Sequence, residues 1–478
     1  MSIAASLTNA LSGLNAASRS AQTVSSNLAN ALVPGYAPRE MQLSAAAITG
    51  GVRIEGESRA VDRALLADRR LADAAAGEAG ARSAALERLA ELIGASDDPA
   101  SIAGRVAAFE AQLVSATARP DSTVRLEAAV TAARGLTAAL RDASAGVQQV
   151  RQDADAAIAR DVEALNDGLA RVAQLNREIA ALSSRPGAAN ALMDQRQEAI
   201  DAISQIVPLR ALPRDRDMLA LVTTGGQMLL DGRAWQVEFD AAGAVGAGSG
   251  AALSGLSVNG RPVTTGADGR MGGGSLAAAF AVRDDLGPQA QARLDGVARD
   301  LIARFEATEA DPTRTAGAAG LFTDAGAALD TAQETGLAGR IAVNGLADPS
   351  AGGGAWRLRD GLGAAAPGPA GDAAGLDRLI DALNAPRIPA SGGLGPEARD
   401  MSGLAVGLAA FASADLAAAD VERGFARARL EELTARELAQ GVDSDQELQK
   451  LMLIERAYAA NARVVETADQ MIRRLMEI

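Results

Sequence analysis

Apolar residues recur at steps of three and four at both ends of the chain. Near the start the series is Ile3, Leu7, Leu11, Leu14, Ala17, Ala21, Val24 and Leu28. Near the end it is Leu451, Ile454, Tyr458, Asn461, Val465, Ala468, Ile472 and Leu475. That spacing places each set on one face of an α-helix. The first helix is expected to reach about Leu32, where Val33-Pro34-Gly35-Tyr36 stops it: Pro34 biases Val33 away from helix and Gly35 admits a turn. Asp443 or Ser444 is the expected N-cap of the last helix, with Glu447 following. Asn461 is the one polar interruption of the C-terminal series, a kind of residue that fixes register in coiled coils at some cost in stability. At 1.5 Å per residue each terminal helix is roughly 45–50 Å long.

Between the ends, the same rhythm predicts one or two helices over 61–93, broken around Gly77 and Gly80. A long helix is predicted over about 124–182, ended by Pro186-Gly187, and another over 192–207, ended by Pro208. The period then changes. Short runs at 219–222, 227–230 and 235–239, separated by Thr223-Thr224-Gly225-Gly226 and Asp231-Gly232, are strand and hairpin signals. Gly-rich stretches flank a further short segment at 256–263. Helix resumes over 276–305, Ile341-Ala342-Val343-Asn344 reads as a short strand or extended piece, and two further helices are predicted near 377–383 and 405–438.

The fold class expected is therefore mainly α with a small inserted β domain, an α+β multidomain chain whose terminal helices form a coiled-coil-like pair. The expected domains are nested: residues 1–45 with 440–478 form a terminal helical unit, 46–207 with 276–439 a helical bundle, and 208–275 the β insertion. No fixed-period repeat is visible.

Composition narrows the function. The 478 residues include no Cys and no His, which removes Cys/His zinc sites, Cys nucleophiles, Ser-His-Asp triads and disulfides. Aromatics are 2%, so the cores must be built from Ala, Leu, Val and Ile. The net charge of −14 is unlike the basic, aromatic-bearing surface of a nucleic-acid binder. Arg far outnumbers Lys, and Lys450 is the single lysine, which reads as genomic bias. The first 18 residues are uncharged but interrupted by Ser, Thr and Asn, too polar for a membrane span and unlike a cleaved signal peptide, so no membrane insertion is expected.

Motif tests give little chemistry. No Gly-Lys-Ser/Thr is present. Gly243, Gly246, Gly248 and Gly250 are too close and irregular for a dinucleotide loop, and Asp215 and Asp217 lack the sixth-position glycine of a calcium loop, which is Ala220 here. Asp97-Asp98 and Asp284-Asp285 leave an acidic hydrolase as a remote alternative, although sugar clefts usually offer aromatic platforms and this chain has few. No cofactor, metal or catalytic residue is expected. The N-terminal stripe is rich in Ala, Ser and Asn and buries little area per residue, so its burial barely offsets its ordering entropy. Two arrangements stay open. The ends pair as antiparallel helices within one molecule, or they stay loose and order only against neighbouring copies.

At this point the residues resemble a known family. Ala10-Leu11-Ser12-Gly13-Leu14-Asn15-Ala16-Ala17, Ser26-Asn27-Leu28-Ala29-Asn30 and Pro34-Gly35-Tyr36 are similar to the N-terminal signature of bacterial flagellar rod, hook and hook-associated proteins. Glu447-Leu448, Arg456-Ala457-Tyr458, Ala460-Asn461-Ala462-Arg463-Val464 and Thr467-Ala468-Asp469-Gln470-Met471 resemble its C-terminal signature. Pro-Gly-Tyr after the first helix, Leu192-Met193-Asp194-Gln195-Arg196, the run ending Leu229-Leu230-Asp231-Gly232, and Ile341-Ala342-Val343-Asn344 ahead of Asp348-Pro349 resemble the hook–filament junction members. Val33, Ala37-Pro38-Arg39-Glu40 and Asp443-Ser444-Asp445 depart from the usual pattern and blur the boundary with hook and distal rod proteins, the alternative within the family.

The resemblance implies a structural protein, not an enzyme. It implies export through the flagellar type III channel after a transient cytoplasmic stage, a ring of identical subunits between hook and filament, and an extracellular location. The implied partners are the hook protein, a second junction protein and a cytosolic chaperone holding the C-terminal helix. The candidate axial-packing residues are then Leu7, Leu11, Leu14, Val24, Leu28, Leu451, Ile454, Tyr458, Asn461, Val465, Ile472 and Leu475. Asn27, Asn30, Pro34, Gly35 and Tyr36 form the candidate turn that redirects the chain from inner tube to outer domain.

Overall fold

In the computed structural model of the protein, the described residues are 3–33, 35–46, 50–185, 187–249 and 253–476. Pro34, Pro186 and Gly250, singled out above, lie outside them. The terminal series form α1 (Ile3–Ala29) and α12 (Ser444–Met476). Asp443 caps α12, its carboxylate accepting from the amides of Asp445 (2.9 Å) and Gln446 (3.2 Å). After α1 comes an antiparallel hairpin, β1 (Arg39–Ala45) and β2 (Val52–Arg59), with an irregularity at Gln42/Leu43. The periodicity reading leaves this hairpin out, because its burial alternates only partly and the strands carry charged residues on both faces.

The middle of the chain is helical around one long element. α2 (Arg63–Ile93) is a single unbroken helix, contrary to the break expected at Gly77 and Gly80. Gly77 serves packing instead: a Cβ there would come within 3.2 Å of the Gln205 carbonyl oxygen. α3 (Ile102–Thr117) is a helix not anticipated above, capped by the Ser101 hydroxyl accepting from Gly104 at 3.0 Å. α4 (Thr123–Leu182) runs 60 residues, about 90 Å at 1.5 Å per residue, and α5 (Asn190–Ser204) folds back along it.

Short strands follow. β3 (Leu209–Pro213), β4 (Leu219–Thr223), β5 (Met228–Asp231) and β6 (Arg233–Ala234) form one antiparallel sheet in that order. β7 (Val237–Glu238), β8 (Leu256–Val258) and β9 (Arg261–Val263) form a second. Helix then returns as α6 (Gly274–Ala281), a π-helical turn over Val282–Leu286, and α7 (Gly287–Glu306). β10 (Phe322–Asp324) pairs with β11 (Ile341–Val343), so Ile341-Ala342-Val343 is a strand. The one-turn helices α8 (Leu337–Arg340) and α9 (Arg357–Asp360), α10 (Ala374–Asn384) and α11 (Met401–Ala439) complete the body.

α4 is shared by two apolar cores. Its first half packs with α2, α3, α7, α10 and the start of α11 in a large core. Its second half packs with α5, α6 and the short strands in a smaller one. The scarce aromatics are concentrated: Phe109, Phe305 and Phe322 meet at the centre of the large core, with ring centroids 5.0–6.1 Å apart. One stretch within Met401–Met476 has the length and hydropathy of a membrane-crossing helix. In the fold, the start of α11 uses Met401, Leu404, Ala405 and Leu408 to pack into the large core.

Where the two cores meet, the π-helical turn carries Arg283 into the interior. Its guanidinium pairs with Asp155 of α4 at 2.7 Å and lies over Phe239 and Phe280, and the Arg283 backbone carbonyl accepts from the Arg151 guanidinium at 2.9 Å. Asp155 also accepts from the amide of Ala242 at 2.7 Å. Removing one member of a buried, hydrogen-bonded ion pair strands the other charge. Arg283→Met is therefore expected to cost about 3–5 kcal/mol, read as a lowered midpoint in urea denaturation of the purified chain. An unchanged midpoint would show that water reaches Asp155.

Candidate assembly interface

The terminal helices lie against one another, antiparallel, within one molecule. Asn27 near the end of α1 meets Glu447 near the start of α12, and Gly13 faces Asn461. Both pairs sum to 474, so the register is constant along the contact. Gly13 permits the approach, since a Cβ there would stand 2.7–2.8 Å from the Asn461 side chain. Of the two arrangements left open by the sequence, mutual docking is the one observed.

The contact is narrow. Between α12 and the hairpin, α1 buries Ala10, Ala16, Ala17, Thr23, Val24 and Asn27, mostly small side chains. In the 33 residues of α12 only Glu447 and Ala468 are buried. Among the candidate axial residues, Val24 is buried, and Leu7, Leu14, Leu451, Ile454, Asn461 and Val465 are half-buried along the seam. Leu11, Leu28, Tyr458, Ile472 and Leu475 are exposed, as are Leu448, Met452, Leu453, Val464, Met471 and Met476. The pair thus covers one edge of each apolar stripe and leaves the rest of α12 open to solvent, a contiguous patch of the kind found at protein–protein contacts.

At the root of the pair sits Asn27, 1% exposed. Its amide nitrogen donates to the Arg39 carbonyl (2.9 Å) and to Glu447 Oε2 (3.2 Å). Its amide oxygen accepts from the Arg39 backbone N–H (3.0 Å) and the Tyr36 hydroxyl (2.9 Å). These four bonds use all four hydrogen-bonding sites of the side chain, and they join α1, the following turn, β1 and α12. Gly35 takes a left-handed φ of 74°, Asn30 donates to the Ser26 carbonyl at 2.8 Å, and the Arg39 guanidinium lies over the Tyr36 ring. Glu447 is buried, and Lys450, the single lysine, pairs with it at 2.7 Å.

The hairpin ties this root to the body. On one side, Thr23 donates to Glu57 at 2.6 Å, and the Val52 amide donates to Ser12 at 3.1 Å. On the other, Asp194 of α5 takes both Arg39 (3.1 Å) and Arg59 (2.7 Å), and Arg59 also reaches Gln197 at 3.0 Å. Arg196, two residues on, donates to Asn176 Oδ1 (2.8 Å) and the Asp217 carbonyl (2.6 Å), joining α5 to α4 and the β3–β4 connection. Burial, and the nearby cations Arg59, Arg63 and Arg70, pull its pKa down to about 10.

Sequence reasoning singled out Asn27 and Tyr36 but missed Arg39, Glu57, Asp194 and Glu447 as parts of the same joint. Their partners in the joint lie 12 to 420 residues away along the chain, so no helical or strand spacing announces them. The run Leu192 to Arg196 was the only signal.

Comparison with known proteins places this arrangement in a class. Residues 86–322 match the family described as the flagellar hook-associated protein FlgK helical domain, and residues 439–478 match that described as the flagellar basal body rod FlgEFG protein C-terminal. Both matches fall in the class of flagellar rod, hook and hook-associated proteins, which the chain resembles over these two stretches. Within it, the chain is similar to flagellar hook-associated protein 1 of Salmonella typhimurium strain LT2, 24% identical over 236 residues covering 47% of this chain and 42% of the relative. It is also similar to that of Escherichia coli K12, 23% identical over 236 residues, 47% and 43%. The matched stretch is thus less than half the length of these relatives. A solved structure, the flagellar hook junction protein FlgK from Burkholderia pseudomallei, aligns at a TM-score of 0.44 and 21% identity over 54% of this chain and 46% of that one. The helical-domain match takes in Asp194 and Arg196, and the rod match takes in all of α12. The N-terminal signature lies outside both.

Asn27→Ala leaves buried Glu447 and the Tyr36 hydroxyl short of a partner, at about 1–3 kcal/mol. Faster hydrogen exchange is expected in the last turns of α1 and the first turns of α12 together, with α4 unchanged; unaltered exchange in α12 would mean that Asn27 does not hold the pair. Limited proteolysis of the monomer is expected to cut first beyond about residue 440, in the helix with the least burial, and then before about residue 40, leaving the body resistant.

Proposed function

We propose that this chain is a structural axial protein of the bacterial flagellum that forms the junction between hook and filament and is required for filament assembly. The observation that carries the reading is the open apolar face of α12: a 33-residue helix with two buried positions needs a cover that one molecule does not supply. The hook-associated helical-domain match across α3, α4 and α5 supports the junction assignment over other axial proteins.

In this reading α1 and α12, with the hairpin, form the axial unit. Leu7, Leu11, Leu14, Val24, Leu28, Leu451, Ile454, Tyr458, Asn461, Val465, Ile472 and Leu475 complete coiled-coil packing against identical neighbours in a ring around a central channel. The helical body and the β segment at 208–275 face outward. Asn27, Asn30, Gly35 and Tyr36, with Pro34, set the direction in which the chain leaves the tube. The subunit contacts the hook protein below and a second junction protein above, and it works outside the cell. Before that it is held in the cytoplasm by a chaperone on the C-terminal helix and exported through the flagellar type III system. A chain without cysteine has no disulfide to hinder passage as an unfolded polypeptide. Of the acidic pairs weighed for a hydrolase, Asp284 is engaged by Arg283 and Asp97-Asp98 sits in an exposed turn.

A second reading, hook or distal rod protein, is favoured by the rod-type match of residues 439–478 alone. Deleting the gene separates the two. Electron microscopy is expected to show complete hooks without filaments, with flagellin lost to the medium. A structure ending short of a complete hook would assign the chain to the rod or hook, and normal filaments would refute both.

A further inference from the structure

Behind the hairpin lies a cleft of about 490 Å³ between β2, the start of α2, α5 and the β3–β4 connection. That volume lies within the range of small-molecule sites. Its lining is unusual for an acidic protein, because it is rich in arginine. Arg59, Arg70 and Arg214 each have a carboxylate partner, in Asp194, Asp201 and Asp231. Arg63 and Arg196 have none among the described residues; Arg196 is buried and bonds only to neutral oxygens. Two carboxylates also line it: Glu57 accepts from the Thr23 hydroxyl at 2.6 Å, and Asp217 lies close enough to Arg196 to favour its charge without forming a salt bridge. A buried cation without a directly paired carboxylate is costly, and an anion in the cleft would relieve that cost.

A second, independent observation points to the same place. Asn190, 6% exposed and part of the lining, has an amide nitrogen that is buried and without a hydrogen-bond partner. Buried donors are paired in nearly all cases, so an orphan in the wall of a cleft marks a missing acceptor. The remaining wall is apolar, with Leu66, Met193 and Met218.

We propose that this cleft binds a carboxylate carried on a small apolar group. The guanidinium groups of Arg63 and Arg196 and the amide of Asn190 hold the oxygens, and Leu66, Met193 and Met218 enclose the apolar part. Guanidinium suits the task because its planar donors match a carboxylate. The site does not depend on the axial reading, since every lining residue belongs to one molecule. Occupancy would fasten the hairpin to α5 at the joint through which the terminal helices meet the body.

Isothermal titration of the full chain with hexanoate and with acetate, at matched ionic strength, tests it. Hexanoate is expected to bind saturably and at least tenfold more tightly than acetate. Arg63→Gln changes an exposed residue at the first turn of α2, and it should weaken hexanoate at least fivefold. Asn190→Asp replaces the donor by a repelling carboxylate, which the first position of α5 accepts as a helix start, and it should abolish saturation. Circular dichroism checks that both variants keep the helical content of the parent. Absence of saturable binding, equal affinity for the two acids, or full affinity in both variants would overturn the proposal.

Discussion

The terminal helices carry more apolar surface than they can cover with one another, and much of the architecture answers that shortage. α1 offers Ala10, Ala16 and Ala17 where a self-sufficient helix would offer leucine, so each turn of contact removes little area from water. α12 offers larger side chains, but one slender neighbour shields only its inner edge. A helix in that state is held by its root, and the root here is polar. Asn27 bonds to three other segments at once, and buried Glu447 is held by that amide and by Lys450. Directional bonds fix where the pair starts and which way it points, while the weak apolar seam leaves its outer face for neighbours.

The body beyond the joint is built on the opposite principle. α4 runs through two cores, and Phe109, Phe305 and Phe322 are gathered at one point of the larger core. Where the cores meet, a π-helical turn admits Arg283, whose pairing with Asp155 gives the long helix one fixed relation to α6 and α7. Stiffness is therefore concentrated in the body and compliance in the ends. The hairpin between them is bonded to α1 on one side and to Asp194 on the other, so strain in the terminal pair would pass to α5 through a few charge-assisted bonds.

Much of this was written in local patterns. The three-four rhythm located α1, α4, α5, α7, α11 and α12, and the shift to short apolar runs between glycines located the strands after α5. The family followed from the terminal signatures and the run around Asp194, and the matches at 86–322 and 439–478 bear it out. Local reading failed where a residue's reason lay elsewhere in the chain. Gly77 looked like a helix break because glycine disfavours helix. It is inside α2 because the Gln205 carbonyl stands where a side chain would be. Lys450 looked like a remnant of genomic composition, and it is the counter-charge of a buried glutamate. The β1–β2 hairpin was missed because its strands draw their support from α1 and α5, not from an alternating face of their own.

The sequence by itself determined most of the long helices and the strands after α5, the absence of thiol and imidazole chemistry, and the family, because each rests on residue type and near-neighbour spacing. Tertiary structure alone decided that the two ends meet in a constant antiparallel register, that Asn27 and Asp194 are the points where distant segments converge, and that arginines gather around one cleft. Those are relations between positions as much as 420 residues apart, and spacing along a chain carries no record of which distant partners will satisfy a buried polar group.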